Sequence, residues 1–196
     1  MASRLVANLP NAITAVRLLL VPVWGILAEA SRQAFDATGS TEPWRGYAVG
    51  VLALIGVSDV VDGYLARRLG VMSRTGATLD AVADKLAQVV LLTFFAFRGP
   101  PAYAAIPIWF LLLVFGRDLV LLLGCLVVRR RAGSVDVVHR MHGKLASVLL
   151  FLLLVWINLG GSAGLLVFAL PAFGAVVVVS TAAYVRDGWQ QVQRRG

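Results

Sequence analysis

Cysteine is nearly missing from this chain: its 196 residues hold one, Cys125, inside an apolar run. A single cysteine closes no internal disulfide and fixes no redox compartment, and a free thiol in such a run behaves as a small hydrophobe. Histidine is almost as scarce. His139 and His142 lie in a loop, and no further His or Cys completes a zinc set around them. Charge is thin as well, at 14% of residues, where a soluble domain carries about a quarter. With 59% hydrophobic residues and a mean hydropathy of +0.83, this excludes an ordinary soluble domain. It implies an all-α, polytopic integral membrane protein built as one domain over residues 1–196, with no room for a second. What charge remains is lopsided, with 18 basic residues against 10 acidic ones. Arginines flanking apolar spans set topology and touch anionic lipid head groups, so the excess does not point to nucleic acid.

A membrane-crossing helix needs about 20 mostly apolar residues. Six stretches qualify: Ala12 to Ala30, Tyr47 to Leu69, Thr78 to Phe97, Ala105 to Val128, Lys144 to Leu159 and Gly164 to Val185. Gly160, Gly161 and Ser162 turn the chain from the fifth into the sixth. Arg4, Arg67, Arg68, Arg74, Arg129, Arg130, Arg131, Arg140, Lys144, Arg186, Arg194 and Arg195 collect on one side, leaving Arg32, Arg45 and Arg98 on the other. The positive-inside rule then predicts cytoplasmic termini and a cytoplasmic hairpin from Arg67 to Gly76. Arg4, the apolar run from Leu18 and Ala28-Glu29-Ala30 together look like a cleavable signal peptide. Arg17 within the helical pattern, and Pro22 and Trp24 within the run, argue instead for a retained first helix. Residues 1–11 form a short amphipathic lead-in on the membrane surface. Trp24, Trp44, Trp109, Trp156 and Trp189 read as interface or packing aromatics.

The acids are placed where a membrane protein can least accommodate them. Asp59, Asp62, Asp80, Asp84 and Asp118, five of ten acidic residues, fall within the expected spans. A charge there costs at least ~2.5 kcal/mol, so intramembrane acids mark functional sites by default. Residues three and four apart share a helix face, which pairs Asp59 with Asp62 and Asp80 with Asp84. Helices joined by a short turn are antiparallel, so the two pairs can face each other across an anionic cleft. Such a cleft is stable if its carboxylates are partly protonated, if they pair with Arg67, Arg117 or Lys85, or if they bind hard divalent cations. Four acids with few bases nearby favour metal.

The stretch from Asp59 to Asp84 carries a specific pattern: D-x2-D-G-x2-A-R-x8-G-x3-D-x3-D, with every fixed position filled. It resembles the signature of the CDP-alcohol phosphotransferases, and the segment NLPNAITAVRLLLVP is similar to the first helix of their phosphatidylglycerolphosphate and cardiolipin synthase branch. The resemblance implies a phosphatidyltransferase that uses CDP-diacylglycerol and releases CMP, working as a homodimer in the cell membrane with its site facing the cytoplasm. It assigns Asp59, Asp62 and Asp80 to two Mg²⁺ or Mn²⁺ ions, and Asp84 to the role of general base beside a metal. Asp59, Asp62, Gly63, Ala66, Arg67, Gly76 and Asp80 would bind the CDP moiety. Gly63 and Ala66 leave room for close backbone approach, Arg67 offers a planar fork to phosphate, and Gly76 lets the hairpin turn tightly.

The acceptor is less sharply drawn. Arg117, Lys144, Lys85 and Arg17 are the cationic candidates for binding it. Arg117 and Asp118 either form a self-satisfied ion pair or line the acceptor pocket together. Gly116-Arg117-Asp118 looks more like the cardiolipin synthases, which use phosphatidylglycerol. The phosphatidylglycerolphosphate synthases, which use glycerol 3-phosphate, usually carry Arg-Glu there. A cation transporter also places acids in membranes, but near the midplane on broken helices; Asp62 lies only five residues from the basic hairpin. A non-catalytic scaffold has no reason to keep four acids in a metal-ready arrangement, and neither alternative predicts CMP release.

Overall fold

The computed structural model describes residues 2–69, 74–132 and 141–195, with side chains outside the description at 2–12, 62–69, 74–79, 129, 131–132, 141–145, 191–192 and 194–195. The described residues form helices α1 (Ala2–Thr38), α2 (Trp44–Leu69), α3 (Arg74–Thr93), α4 (Ile108–Ala132), α5 (Met141–Asn158) and α6 (Ala163–Arg195), with a π-helical turn over Phe94–Arg98 and no strand. Each expected apolar stretch coincides with one helix. Four contain stretches long and apolar enough to cross a membrane: Ile13–Thr38, Trp44–Val61, Ile108–Val128 and Ala163–Gln190. Among the described residues α5 adds a shorter apolar helix, Ala146–Asn158.

The chain divides into two compact units, residues 1–105 with 155–161, and residues 106–154 with 162–196. In the first, α1 packs on α2 and α3 through one stripe. Thr14, Arg17, Val21, Trp24, Ala28 and Ser31 are all buried, and their spacing alternates three and four residues. That is the period that keeps one helix face inward. Its centre is Trp24, fully buried, whose ring meets Phe94 and Phe95 edge-on at 5.4 and 5.6 Å. Phe94 and Phe95 in turn pack on Tyr103.

α1 runs well past Ala30, where the apolar stretch ends, because polar side chains take over. Arg32 pairs with Glu29 at 2.7 Å and with Asp36 at 2.5 Å, at spacings of three and four residues, and Gln33 donates to Glu29 at 3.2 Å. Such pairs each add a few tenths of a kcal/mol to a helix. The helix closes at Gly39, where φ is +75° and the amide donates to the Phe35 carbonyl at 2.8 Å. The π-turn after α3 brings Arg98 onto Glu29 at 2.8 Å. Arg45 donates to the Ala102 carbonyl and lies 4.7 Å from the Tyr103 ring centroid. The three arginines of the basic-poor side are therefore all engaged within this unit. Gly160 is needed where it stands: its φ is +81°, and a Cβ there would lie 2.5 Å from Arg45 Nη1.

In the second unit α4 packs on α6 around Phe110, Val114, Leu170, Phe173 and Val177, with the Phe110 and Phe173 rings 5.4 Å apart. Close approach needs Gly174, where a Cβ would come within 3.2 Å of Leu113. Large apolar side chains such as Leu19, Ile26, Val60, Phe168 and Val179 are left exposed on the helices, as expected of surfaces that face lipid. Cys125 is exposed among them.

Candidate active site

The site lies in the first unit, where the packing stripes of its helices carry acids. On α2 the buried positions Ala48, Leu52 and Ile55 are spaced four and three apart, and Asp59 follows four residues on, in phase with them. On α3, Asp80 and Asp84 stand one turn apart beside the buried Ala83. The same helix faces that build the core thus carry the carboxylates to one place.

Asp59, Asp80 and Asp84 each present a carboxylate oxygen, and those oxygens lie within 4.8 Å of one another. At their meeting point is Arg17. Its Nη1 is 3.1 Å from Asp59 Oδ1, 2.8 Å from Asp80 Oδ1 and 2.9 Å from Asp84 Oδ1. Its Nε donates to Ser58 Oγ at 3.5 Å, and Ser58 Oγ donates to the Ile55 carbonyl at 2.8 Å. The burial is asymmetric. Arg17 is 1% exposed, while the three carboxylates are between 43% and 52% exposed. A guanidinium from the core therefore forms the floor of an open carboxylate cup.

The cup suits a hard divalent cation. Its donors are all carboxylate oxygens, they converge on a single point, and a positive nitrogen already stands there. The facing arrangement expected for Asp59 against Asp80 and Asp84 is present. The side chains of Asp62, Gly63, Ala66, Arg67 and Gly76 fall outside the described residues, though α2 and α3 carry their backbone. Lys144 is in the same position on α5. Lys85 is exposed and donates to Gln88 at 3.3 Å. Arg17, one of the cations expected for the acceptor, is ion-paired with the acids. Its register was a readable signal, since it falls in phase with Val21, Trp24 and Ala28.

Arg117 belongs to the second unit. It lines an apolar groove of about 600 Å³ with Leu113, Val177, Thr181, Val185 and Trp189, and Arg186 lies along the same groove. Its Nε is buried with no hydrogen-bond partner among the described residues.

Against known families, residues 7–183 match the model for CDP-alcohol phosphatidyltransferase. The chain belongs to this family. It is 34% identical over 116 residues to a putative cardiolipin synthase of Mycobacterium tuberculosis, covering 59% of this chain and 48% of that one. With a CMP-forming cardiolipin synthase of Streptomyces coelicolor it shares 36% over 127 residues, 64% of this chain and 53% of the other. With a CDP-diacylglycerol–glycerol-3-phosphate 3-phosphatidyltransferase of Bacillus subtilis it shares 35% over 105 residues, 52% and 54% of the two chains. The chain spans about half the length of these curated relatives. No solved structure matches it. Within a CDP-alcohol phosphatidyltransferase the carboxylate cup is the natural place to look for chemistry.

Proposed function

We propose that this chain moves a phosphatidyl group from CDP-diacylglycerol onto an alcohol, releasing CMP, and that the alcohol is phosphatidylglycerol. The observation that carries the reading is the convergence of Asp59, Asp80 and Asp84 on one point within the complete motif. In this reading Asp59, Asp62, Asp80 and Asp84 hold two divalent ions, Mg²⁺ or Mn²⁺. Such ions, when bound, neutralise the negative charge on the diphosphate oxygens. Gly63 and Ala66 leave space for the cytidine end of the donor, and Arg67 donates to its phosphates. Asp84, half exposed, takes the proton of the acceptor hydroxyl. The hydroxyl oxygen bonds to the phosphatidyl phosphorus, the bond from that phosphorus to the bridging oxygen breaks, and CMP departs with the bridging oxygen.

Phosphatidylglycerol is favoured by Gly116-Arg117-Asp118, which looks more like the cardiolipin synthases and in which Arg117 meets the acceptor's phosphate. Lys144 and Lys85 complete the cationic set for the acceptor. Glycerol 3-phosphate is the second reading, favoured by the similarity to the Bacillus subtilis CDP-diacylglycerol–glycerol-3-phosphate 3-phosphatidyltransferase. The same proposal takes all six helices as membrane spans with both termini cytoplasmic, the chain as one catalytic domain and a homodimer, and the cell membrane as its location. The family match supports the single domain because it runs across both compact units.

The test is product analysis. Purified protein in nanodiscs is given CDP-diacylglycerol, a divalent ion and each acceptor separately. Cardiolipin from phosphatidylglycerol is the expected product. Phosphatidylglycerol phosphate from glycerol 3-phosphate alone overturns the acceptor and keeps the transfer; no CMP from either overturns the transfer.

A further inference from the structure

The Arg17 geometry is more than a salt bridge near a site. One nitrogen serves three carboxylates on two helices, at 2.8 to 3.1 Å, from a side chain with almost no solvent contact. Without a cation, three carboxylates whose oxygens lie within 4.8 Å of one another repel and splay. Arg17 cancels that repulsion from inside. It also takes up lone pairs of oxygens that an ion would use: Oδ1 of Asp80 and Oδ1 of Asp84 accept from Nη1, and Asp59 Oδ1 is ion-paired to it at 3.1 Å. An ion bound to these oxygens at the ~2.0–2.6 Å typical of Mg²⁺ and Ca²⁺ either displaces the guanidinium or shares them with a like charge.

We propose that Arg17 is a positioning residue and a built-in competitor for the metal: its guanidinium holds Asp59, Asp80 and Asp84 converged before an ion arrives, and must yield to it. The inference rests on the metal reading given above. It has two consequences that pull in opposite directions. Arg17 stabilises the ion-free protein, and it weakens the ion's hold on the cup. A structural salt bridge has only the first effect. An arginine paired with acceptor phosphate and not with the acids would have neither.

The experiment is a Mn²⁺ titration followed by electron paramagnetic resonance, on the full chain in nanodiscs without substrate, alongside thermal unfolding with and without Mn²⁺. Arg17→Gln removes the charge and keeps a polar side chain. Coulomb repulsion between a unit and a double charge about 4 Å apart, at the dielectric of water, amounts to roughly thirtyfold in affinity. Arg17→Gln is therefore expected to bind Mn²⁺ roughly thirtyfold more tightly. It should unfold at a lower temperature than the unsubstituted chain without Mn²⁺, and Mn²⁺ should narrow the gap. Arg17→Lys keeps the charge and should bind Mn²⁺ close to the original affinity, which preserves the test if Arg17→Gln does not fold. Equal or weaker Mn²⁺ binding by Arg17→Gln overturns the proposal alone. So does tighter binding by Arg17→Lys equal to that expected of Arg17→Gln. Absence of saturable Mn²⁺ binding by the unsubstituted chain overturns the proposal and the metal reading together.

Discussion

Asp80→Asn isolates one negative charge of the cup while keeping an oxygen of similar size in place. Two effects follow, and they differ greatly in size. In the ion-free protein the substitution loses a charge-assisted bond to Arg17 Nη1 at 2.8 Å, and it also relieves repulsion with Asp59 and Asp84. These terms oppose each other, and Asp80 is 43% exposed, so the net change in stability is about 1 kcal/mol or less. For a bound divalent ion nothing opposes the loss. A double and a unit charge 2.1 Å apart interact by about 4 kcal/mol even at the dielectric of water, which is about a thousandfold in affinity. The dielectric of water is the conservative choice for a half-exposed carboxylate. Mn²⁺ binding measured by electron paramagnetic resonance, with thermal unfolding in parallel, should show affinity lost and the melting temperature nearly kept. Unchanged Mn²⁺ affinity in a folded Asp80→Asn protein refutes the reasoning, since a carboxylate at the convergence point cannot be a bystander to the ion.

Asp84→Asn should lower kcat by a hundredfold or more while CDP-diacylglycerol affinity changes little, because a base acts on the acceptor hydroxyl; equal losses in both make Asp84 chiefly a ligand. Arg117→Ala should raise the acceptor KM about ten- to a hundredfold, the worth of a charge-assisted bond to phosphate, and leave the donor KM near its original value. Trp24→Ala removes the largest fully buried side chain among the described residues and should cost about 3–5 kcal/mol, read as a lower melting temperature in nanodiscs.

The sequence was most legible where chemistry and helical period coincide. Asp59 lies in phase with Ala48, Leu52 and Ile55, and Asp80 with Asp84 at one turn, so the face that carries each follows from spacing. The reach of α1 was harder to read. Hydropathy fades after Ala30, but Glu29, Arg32, Gln33 and Asp36 hold the helix to Thr38 through side-chain pairs that a hydropathy profile counts only as polar. Arg17 reads in the sequence only as a cation; its buried register with Val21 and Trp24 puts it on the core face of α1, from which it reaches oxygens on α2 and α3. Periodicity within one helix gives the face, and only packing gives what that face meets.

The most direct measurement is CMP release from CDP-diacylglycerol by protein stripped of divalent ions and then titrated with Mg²⁺ or Mn²⁺, with Asp59→Asn run beside it. If the carboxylate cup is the transfer centre, release is absent in excess chelator and returns with either ion. Asp59→Asn, lacking one charged ligand, stays inactive at ion concentrations that saturate the original chain. Full turnover in excess chelator, or an Asp59→Asn protein as active as the original, contradicts the assignment of the cup as a metal-dependent phosphatidyl transfer site.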